Sequence, residues 1–175
     1  ETVFVLASGP SLTPDVIESV RGRPTIAVNA TVLAAPWVDV WFFTDNGILF
    51  GEMEGGERRH RQARDGRSMV EFARNFGGRI ISMARKAKAA LPDKVLRVEG
   101  SFMPRFPAPG GRAIRQGVSS GQTAISLAVS CRAARVVALG FDMRMVDARE
   151  HHHDEYAGWL RKPSPYQDFI DAFRG

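Results

Sequence analysis

The 175-residue sequence contains a single cysteine, Cys131, and no apolar run that approaches the roughly 20 residues needed to span a membrane. One cysteine permits no internal disulfide, which favours a reducing compartment. The start of the chain also lacks a basic segment followed by an apolar stretch, the pattern of a secretory signal. The sequence therefore predicts a cytoplasmic protein without a membrane span.

Several well-known site motifs are also absent. The glycines form neither a P-loop nor a G-x-G-x-x-G fingerprint, and the chain has no C-x-x-C or H-E-x-x-H pair. We therefore predict no metal site, and no cofactor is firmly implied.

The composition is that of a globular protein, with 44% hydrophobic and 25% charged residues in a chain of a size that commonly forms one domain. The net charge of +5 is unevenly spread, because residues 57–115 hold 15 Lys/Arg against 5 Asp/Glu. Two interpretations of this basic segment are open. It is either a solvated face or an electropositive surface for phosphates, a nucleotide or a polyanion.

Short apolar runs bounded by Gly, Pro or polar residues predict buried strands. They are Val3–Ala7, Thr25–Val28, Val38–Thr44 and Arg135–Leu139, with Arg79–Ser82 and Lys94–Val98 as further candidates.

Helices are predicted between these strands. Thr13 as N-cap and Pro14 at the first position begin one that ends near Gly22. The periodicity of Met69, Phe72, Ala73 and Phe76 predicts a second over Glu57–Phe76. The others are Gln122–Arg132 and a short helix around Pro165–Phe173, while the Gly- and Pro-rich segment Gly100–Gly117 is predicted to be a loop.

Apolar strands that alternate with helices predict an α/β fold: a single Rossmann-like, doubly wound domain over residues 1–175 with a mostly parallel sheet buried on both faces. In such sheets ligands bind outside the carboxyl ends of the strands. The predicted strands end in Ser8-Gly9, Asn29, Asp45 and Gly140-Phe141-Asp142. We expect these residues to gather along one edge.

Two of the turns combine hydroxyl groups and glycine ahead of a helix, where backbone N–H groups and the helix dipole favour an anion. They are Ser8-Gly9-Pro10-Ser11 and Ser119-Ser120-Gly121. The alternative for each is a tight turn or a helix cap. Two such turns in one α/β domain favour a nucleotide lying across the sheet edge.

Asp142 has the chemistry to hold a ribose hydroxyl, a metal or a base, and Asp45 is a second candidate; a helix cap or a loop ion pair is the alternative for both. His151, His152 and His153 are adjacent, so on an extended chain they face apart and form no ready three-ligand metal site. One of them is a candidate general base, and a solvated loop is the alternative.

Five segments, in order, resemble a group of phage and bacterial proteins related to the small bacterial sialyltransferases and to the MptE-like 6-hydroxymethylpterin diphosphokinases. They are "VFVLASGPSL", "IAVNAT", "PWVDVWFFTD", "SSGQTAISLAVSCRAARVVALGFDM" and the histidine-rich stretch after them. The resemblance covers most of the chain, with little contribution from residues 51–117.

In the sialyltransferases the matching positions bind a CMP-sugar and a later histidine acts as general base without a metal. The resemblance therefore implicates Ser8, Gly9, Asn29, Ser119, Ser120, Gly121 and Asp142, with the base among His151–His153. It also implies one more strand beyond Gly175, so that the chain is either trimmed or a minimal version.

Three functions follow as expectations. The first is a nucleotide-sugar-dependent, sialyltransferase-like enzyme, encoded by a phage and acting on an unknown acceptor hydroxyl. The second is an ATP-dependent diphosphokinase, in which Asp45 and Asp142 would bind Mg²⁺. The third is a non-catalytic, nucleic-acid-associated or assembly protein that uses the basic segment.

Overall fold

A six-stranded parallel sheet forms the centre of the protein. The structure is a computed structural model that describes residues 1–54, 57–59, 62–63, 65–101, 113–144 and 166–174. The strands are β1 Thr2–Leu6, β2 Thr25–Val28, β3 Val40–Phe43, β4 Glu52–Glu54, β5 Glu57–Arg59, β6 Arg79–Ser82, β7 Val95–Arg97, β8 Glu99–Ser101, β9 Ala113–Arg115 and β10 Arg135–Leu139. The sheet order is β10-β1-β2-β3-β6-β7, while β4–β5 is a separate antiparallel pair and β8–β9 a separate parallel pair.

Three of the helices begin directly after a residue whose hydroxyl caps them. The helices are α1 Pro14–Glu18, α2 Gly47–Phe50, α3 Met69–Asn75, α4 Arg85–Ala90, α5 Ser120–Ser130 and α6 Tyr166–Arg174, with a 3₁₀ helix over Asn29–Leu33. The hydroxyls of Thr13, Ser68 and Ser119 each accept a backbone N–H of the first turn of α1, α3 and α5. Each cap satisfies a donor that the helix itself leaves without a partner.

Alternate residues of the central strands enter two separate hydrophobic cores. Leu6, Trp41 and Ile80 pack in the first core with residues of α1, α3 and α4. Their neighbours Val5, Phe42 and Ile81 pack in the second core with residues of α5. A sheet buried on both faces explains why these strands read as continuous apolar runs. The predicted doubly wound α/β domain is confirmed.

The order of the strands reverses between β1 and β10. From β1 the chain steps to β2, β3, β6 and β7, and it then returns to pair β10 with the other side of β1. Parallel crossovers are right-handed, so a return in the opposite direction puts α5 on the face opposite α1, α3 and α4. The two cores show that separation. This reversal is the place where doubly wound sheets bind ligands.

The four strands predicted with most support are neighbours and parallel, as expected, but three details differ. The first covers Thr2–Leu6, so it begins and ends one residue earlier than predicted. The third begins at Val40 and ends at Phe43, so it is shorter than predicted. β10 is not buried on both faces: Arg135 and Ala138 are exposed and its other residues are partly buried. The reason is its position at the end of the sheet, where β1 is its neighbour among the described strands.

Two predictions between residues 57 and 117 are wrong. The helix expected over Glu57–Phe76 is limited to Met69–Asn75, because its charged first half has no apolar stripe and Glu57–Arg59 pairs as a strand instead. The segment Gly100–Gly117 is not entirely a loop, since β8 and β9 pair at its two ends. Helix α5 begins at Ser120, two residues earlier than predicted, with Ser119 as its N-cap.

Smaller differences concern the ends of other elements. α1 stops at Glu18 and the chain reaches Gly22 through turns, β7 covers Val95–Arg97, and α6 covers Tyr166–Arg174. Among the residues described above, no helix combines the length and the apolar character needed to cross a bilayer.

Gly78 lies where the turn before β6 touches β3, and we predict that it tolerates no side chain. A Cβ at Gly78 would lie 2.5 Å from the carbonyl oxygen of Val38 and 2.7 Å from that of Asp39, whereas a Cβ at Gly77 would meet nothing within 4 Å. Gly78→Ala should lower the free energy of unfolding by about 1–3 kcal/mol. Gly77→Ala, the matched control, should leave it unchanged or raise it by up to about 1 kcal/mol. Urea unfolding of both variants checks this, and equal stabilities would contradict the packing at Gly78.

Candidate functional site

The turn that follows β1 is held against the turn that follows β10. The backbone N–H of Gly9 donates to the carbonyl oxygen of Gly140 at 2.8 Å. The backbone N–H and the hydroxyl of Ser11 both donate to Oδ2 of Asp142, at 3.1 Å and 2.9 Å. Residues far apart in the chain thus meet at the reversal of strand order. We call the carboxyl edge of the six-stranded sheet, with the turns that follow its strands, the rim.

Glycine is needed at two positions of this junction. A Cβ on Gly9 would lie 2.1 Å from Oδ2 of Asp142 and 2.5 Å from the carbonyl oxygen of Gly140. Gly140 has a φ of 71°, in the left-handed region that glycine adopts without strain. Met143 also has a positive φ, 50°, which a residue with a Cβ adopts rarely. The backbone after β10 is therefore bent sharply on both sides of Phe141 and Asp142.

The start of α5 forms the next part of the rim. Ser120 Oγ lies 2.7 Å from Thr44 Oγ1, which joins the helix start to the end of β3. Gly121 leaves room for an aromatic ring, because a Cβ there would lie 2.8 Å from Cε1 of Phe141. Phe141 and Asp142 thus reach in two directions from one turn, the ring to α5 and the carboxylate to the turn after β1.

Asn29, at the end of β2, carries a polar atom in need of a partner. Its φ is 55°, and its carbonyl oxygen accepts the indole N–H of the buried Trp41 at 2.8 Å. Its side-chain Oδ1 is buried, and no described residue donates to it. Buried polar atoms are nearly always hydrogen-bonded, and an exception is a candidate contact for water or a ligand.

The two aspartates differ in what surrounds them. Asp142 is partly buried between the turns after β1 and β10, as described, whereas Asp45 is exposed. Oδ1 of Asp45 accepts the backbone N–H of Gly47 at 3.0 Å, which is the geometry of a local turn ahead of α2. Within the part of the chain that the structure describes, no group of three or more His, Cys, Asp or Glu side chains could hold a metal ion.

The turn after β1 differs from an empty phosphate cradle. Ser8 and Pro10 are partly exposed members of it, but the backbone N–H of Ser11 already donates to a carboxylate and that of Gly9 to a carbonyl group. A phosphate on this turn would have to displace Asp142. Phosphate binding by residues 8–11 stays a prediction. The group held at this turn is the carboxylate of Asp142, which is a hydrogen-bond acceptor.

Other sequence predictions have mixed outcomes. His151, His152 and His153 lie outside the described residues. The basic segment 57–115 is divided, because exposed Arg79 begins β6 at one edge of the sheet while exposed Arg85 and Lys86 follow β6 at the rim. Sequence reasoning missed Thr44 as a partner of Ser120 and Phe141 as a partner of Gly121. Their position directly after strands was the available signal.

The geometry defines a doubly wound α/β protein with a polar rim centred on the reversal of strand order. Comparisons with known protein families, with curated proteins and with solved structures found no match for this chain.

The junction at Gly9 gives a prediction on stability. Gly9→Ala should push Asp142 away and lower the free energy of unfolding by about 1–3 kcal/mol, because hydrogen bonds to Asp142 and Gly140 are strained or lost. Asp142→Ala removes the closest clash, so the double variant should be less destabilised than the sum of the two single variants. Urea unfolding of the four proteins in this cycle measures the coupling. Strict additivity would show that Gly9 and Asp142 do not act on each other.

Proposed function

We propose that this chain is a nucleotide-sugar-dependent glycosyltransferase-like enzyme similar to the small bacterial sialyltransferases. The observation that carries the proposal is the junction at the strand reversal, where Ser11 draws the carboxylate of Asp142 onto the rim. A carboxylate held in this way is a suitable acceptor for the hydroxyl groups of a ribose or a sugar. Ligand binding at this position is the rule for doubly wound sheets.

The remaining rim groups support a ligand with hydroxyl groups at one end and phosphate at the other. Asn29 Oδ1 is a second acceptor and lies at the end of the strand next to β1. The start of α5 offers the hydroxyl of Ser120 and first-turn N–H groups, which favour a phosphate. In the proposed arrangement the ribose lies near Asp142 and the phosphate near residues 119–121.

The proposed reaction is direct transfer. The acceptor hydroxyl attacks the anomeric carbon of the sugar as a base among His151–His153 takes its proton. The bond from that carbon to the phosphate oxygen breaks, and the nucleotide leaves with the electron pair. The resemblance supplies the histidine and the absence of a metal; it also supports a phage-encoded, cytoplasmic transferase. The MptE-like diphosphokinase is separated from this proposal by its need for Mg²⁺.

Nucleotide binding is the first test. CMP, UDP, GDP and ATP are screened by thermal shift with and without Mg²⁺, since a ligand at 100 times its Kd stabilises by about 2.7 kcal/mol. We expect CMP or another sugar-carrying nucleotide to bind without Mg²⁺. Stabilisation by ATP with Mg²⁺ alone would favour the diphosphokinase, and no stabilisation by any nucleotide would contradict both enzymes.

Asp142→Asn sharpens this test. The amide oxygen can still accept from Ser11, so the fold is kept, but the charge and one acceptor position are lost. The affinity for the best nucleotide should fall about tenfold, the effect of one charged hydrogen bond. Asp93→Asn, an exposed residue ahead of β7 at the opposite edge of the sheet, is the control and should bind as the parent does. Equal affinities in all three proteins would remove Asp142 from the site.

The histidine prediction concerns turnover. Alanine at one of His151, His152 and His153 should lower transfer by roughly 10²–10⁴-fold and leave nucleotide affinity nearly unchanged, because a general base acts in the transition state. His60→Ala is the matched control. Full activity of all three single variants, measured as nucleotide release in the presence of acceptor, would leave the proposed transferase without its base.

A further inference from the structure

The far end of the rim, around the carboxyl end of β6, carries three basic residues of the segment 57–115. Arg97 pairs with Ser82 across the parallel strands β7 and β6. Helix α4 begins three residues after Ser82, with exposed Arg85 and Lys86. Its start is joined to the turn after β3, because Asn46 Oδ1 accepts the backbone N–H of Lys86 at 3.1 Å. The three basic residues therefore lie beside or directly after the carboxyl end of one strand, β6.

Arg97 is held in an unusual state. Its Nε is buried and has no hydrogen-bond partner among the described residues, although the side chain as a whole is 31% exposed. Its ion pair with Glu99 is loose, with Nη1 3.6 Å from Oε1 of Glu99, whose side chain is 72% exposed. A guanidinium group presents its N–H donors in a fixed fork that matches the two oxygens of a carboxylate or a phosphate. In Arg97 the Nε–H donor is the one without a partner among the described residues.

The direction of the Arg97 side chain follows from the strand. Residues two apart share a face, and Val95 packs in the first core, the one that includes Ala87 of α4. Arg97 thus lies on the α4 side of the sheet, close to where Arg85 and Lys86 begin that helix. An anion stabilises basic residues that lie at one strand end together with a buried N–H that has no partner among the described residues.

We propose that Arg97, Arg85 and Lys86 form a binding site for an oxyanion, a phosphate or carboxylate group of the substrate. This site lies beyond Thr44 and Ser120 on the same rim. If the proposed transferase function holds, the substrate carries hydroxyl groups at the Asp142 end and a negative group at the Arg97 end. The inference about the anion itself rests on Arg97 and its neighbours alone. In this proposal the guanidinium group of Arg97 binds the anion, and Glu99 is the carboxylate that competes for that group.

Two variants of opposite expected sign test the site, with inorganic phosphate as the probe in isothermal titration calorimetry. Arg97→Gln should weaken phosphate binding about tenfold, the loss of one charge-assisted contact, and Arg97→Lys should restore it in part because the charge remains without the fork. Glu99→Gln should strengthen binding, since it removes the competing carboxylate. Arg79→Gln, an exposed arginine at the opposite edge of the sheet, is the matched control for lost charge.

The outcomes are distinct from those for the proposed function. Weaker binding in Arg97→Gln with no change in Arg79→Gln supports the oxyanion site even if no nucleotide binds. Equal phosphate affinity in Arg97→Gln and Arg79→Gln overturns the oxyanion site, even if CMP binds normally. Glu99→Gln guards against a folding defect in the Arg97 variants, because unchanged phosphate affinity in a stable Glu99→Gln protein also overturns the site. A comparison of acetate with phosphate identifies which anion the site prefers.

Discussion

The contact between Asp142 and the turn after β1 is the constraint on which the rest of the rim depends. β1 and β10 are already paired through their backbones, but that pairing ends at Leu6 and Leu139. Beyond it, the N–H of Gly9 and the two donors of Ser11 continue the connection into the turns. Because the segment after β10 is bent at Gly140 and Met143, the carboxylate and the ring of Phe141 are aimed at different partners. Loss of the Asp142 carboxylate would remove both bonds from Ser11 and leave the two turns joined through Gly9 and Gly140.

The same contact changes how the glycine turn is understood. A helix N-terminus preceded by Gly and Ser commonly receives an anion, and here the anion is part of the protein. An exposed ion or hydrogen bond of this kind contributes little to stability on its own. Its effect is on position, because it holds the carboxylate oxygens of Asp142 at the reversal of strand order. The N–H groups at the start of α5 then remain as the part of the rim that favours an anion.

Much of the sheet could be predicted from the sequence, since strands buried on both faces read as apolar runs whose ends are marked by polar residues or glycine. Residues that meet through non-local contacts could not. The pairing of Thr44 with Ser120 joins positions 76 apart; the place of Thr44 at a strand end indicates that it lies on the rim, but it does not indicate which residue it contacts. The helix predicted over Glu57–Phe76 is wrong for a different reason. The prediction extends four apolar positions at helical spacing over charged residues that have no apolar face to bury. The edge position of β10 depends on sheet order, which strand composition does not encode.

The electrostatics of the rim follow from this topology. The strands β10 and β7 lie at the two ends of the sheet. Asp142 follows β10 at one end of the rim, and Arg97 ends β7 at the other. Between them lie side-chain oxygen atoms, on Asn29, Thr44 and Ser120. Under the two proposals above, a ligand that spans the rim is asymmetric, with hydrogen-bond donors near Asp142 and negative charge near Arg97. Opposite charges at the two ends would also oppose binding of such a ligand in the reversed direction, because reversal would bring its anion to the carboxylate of Asp142.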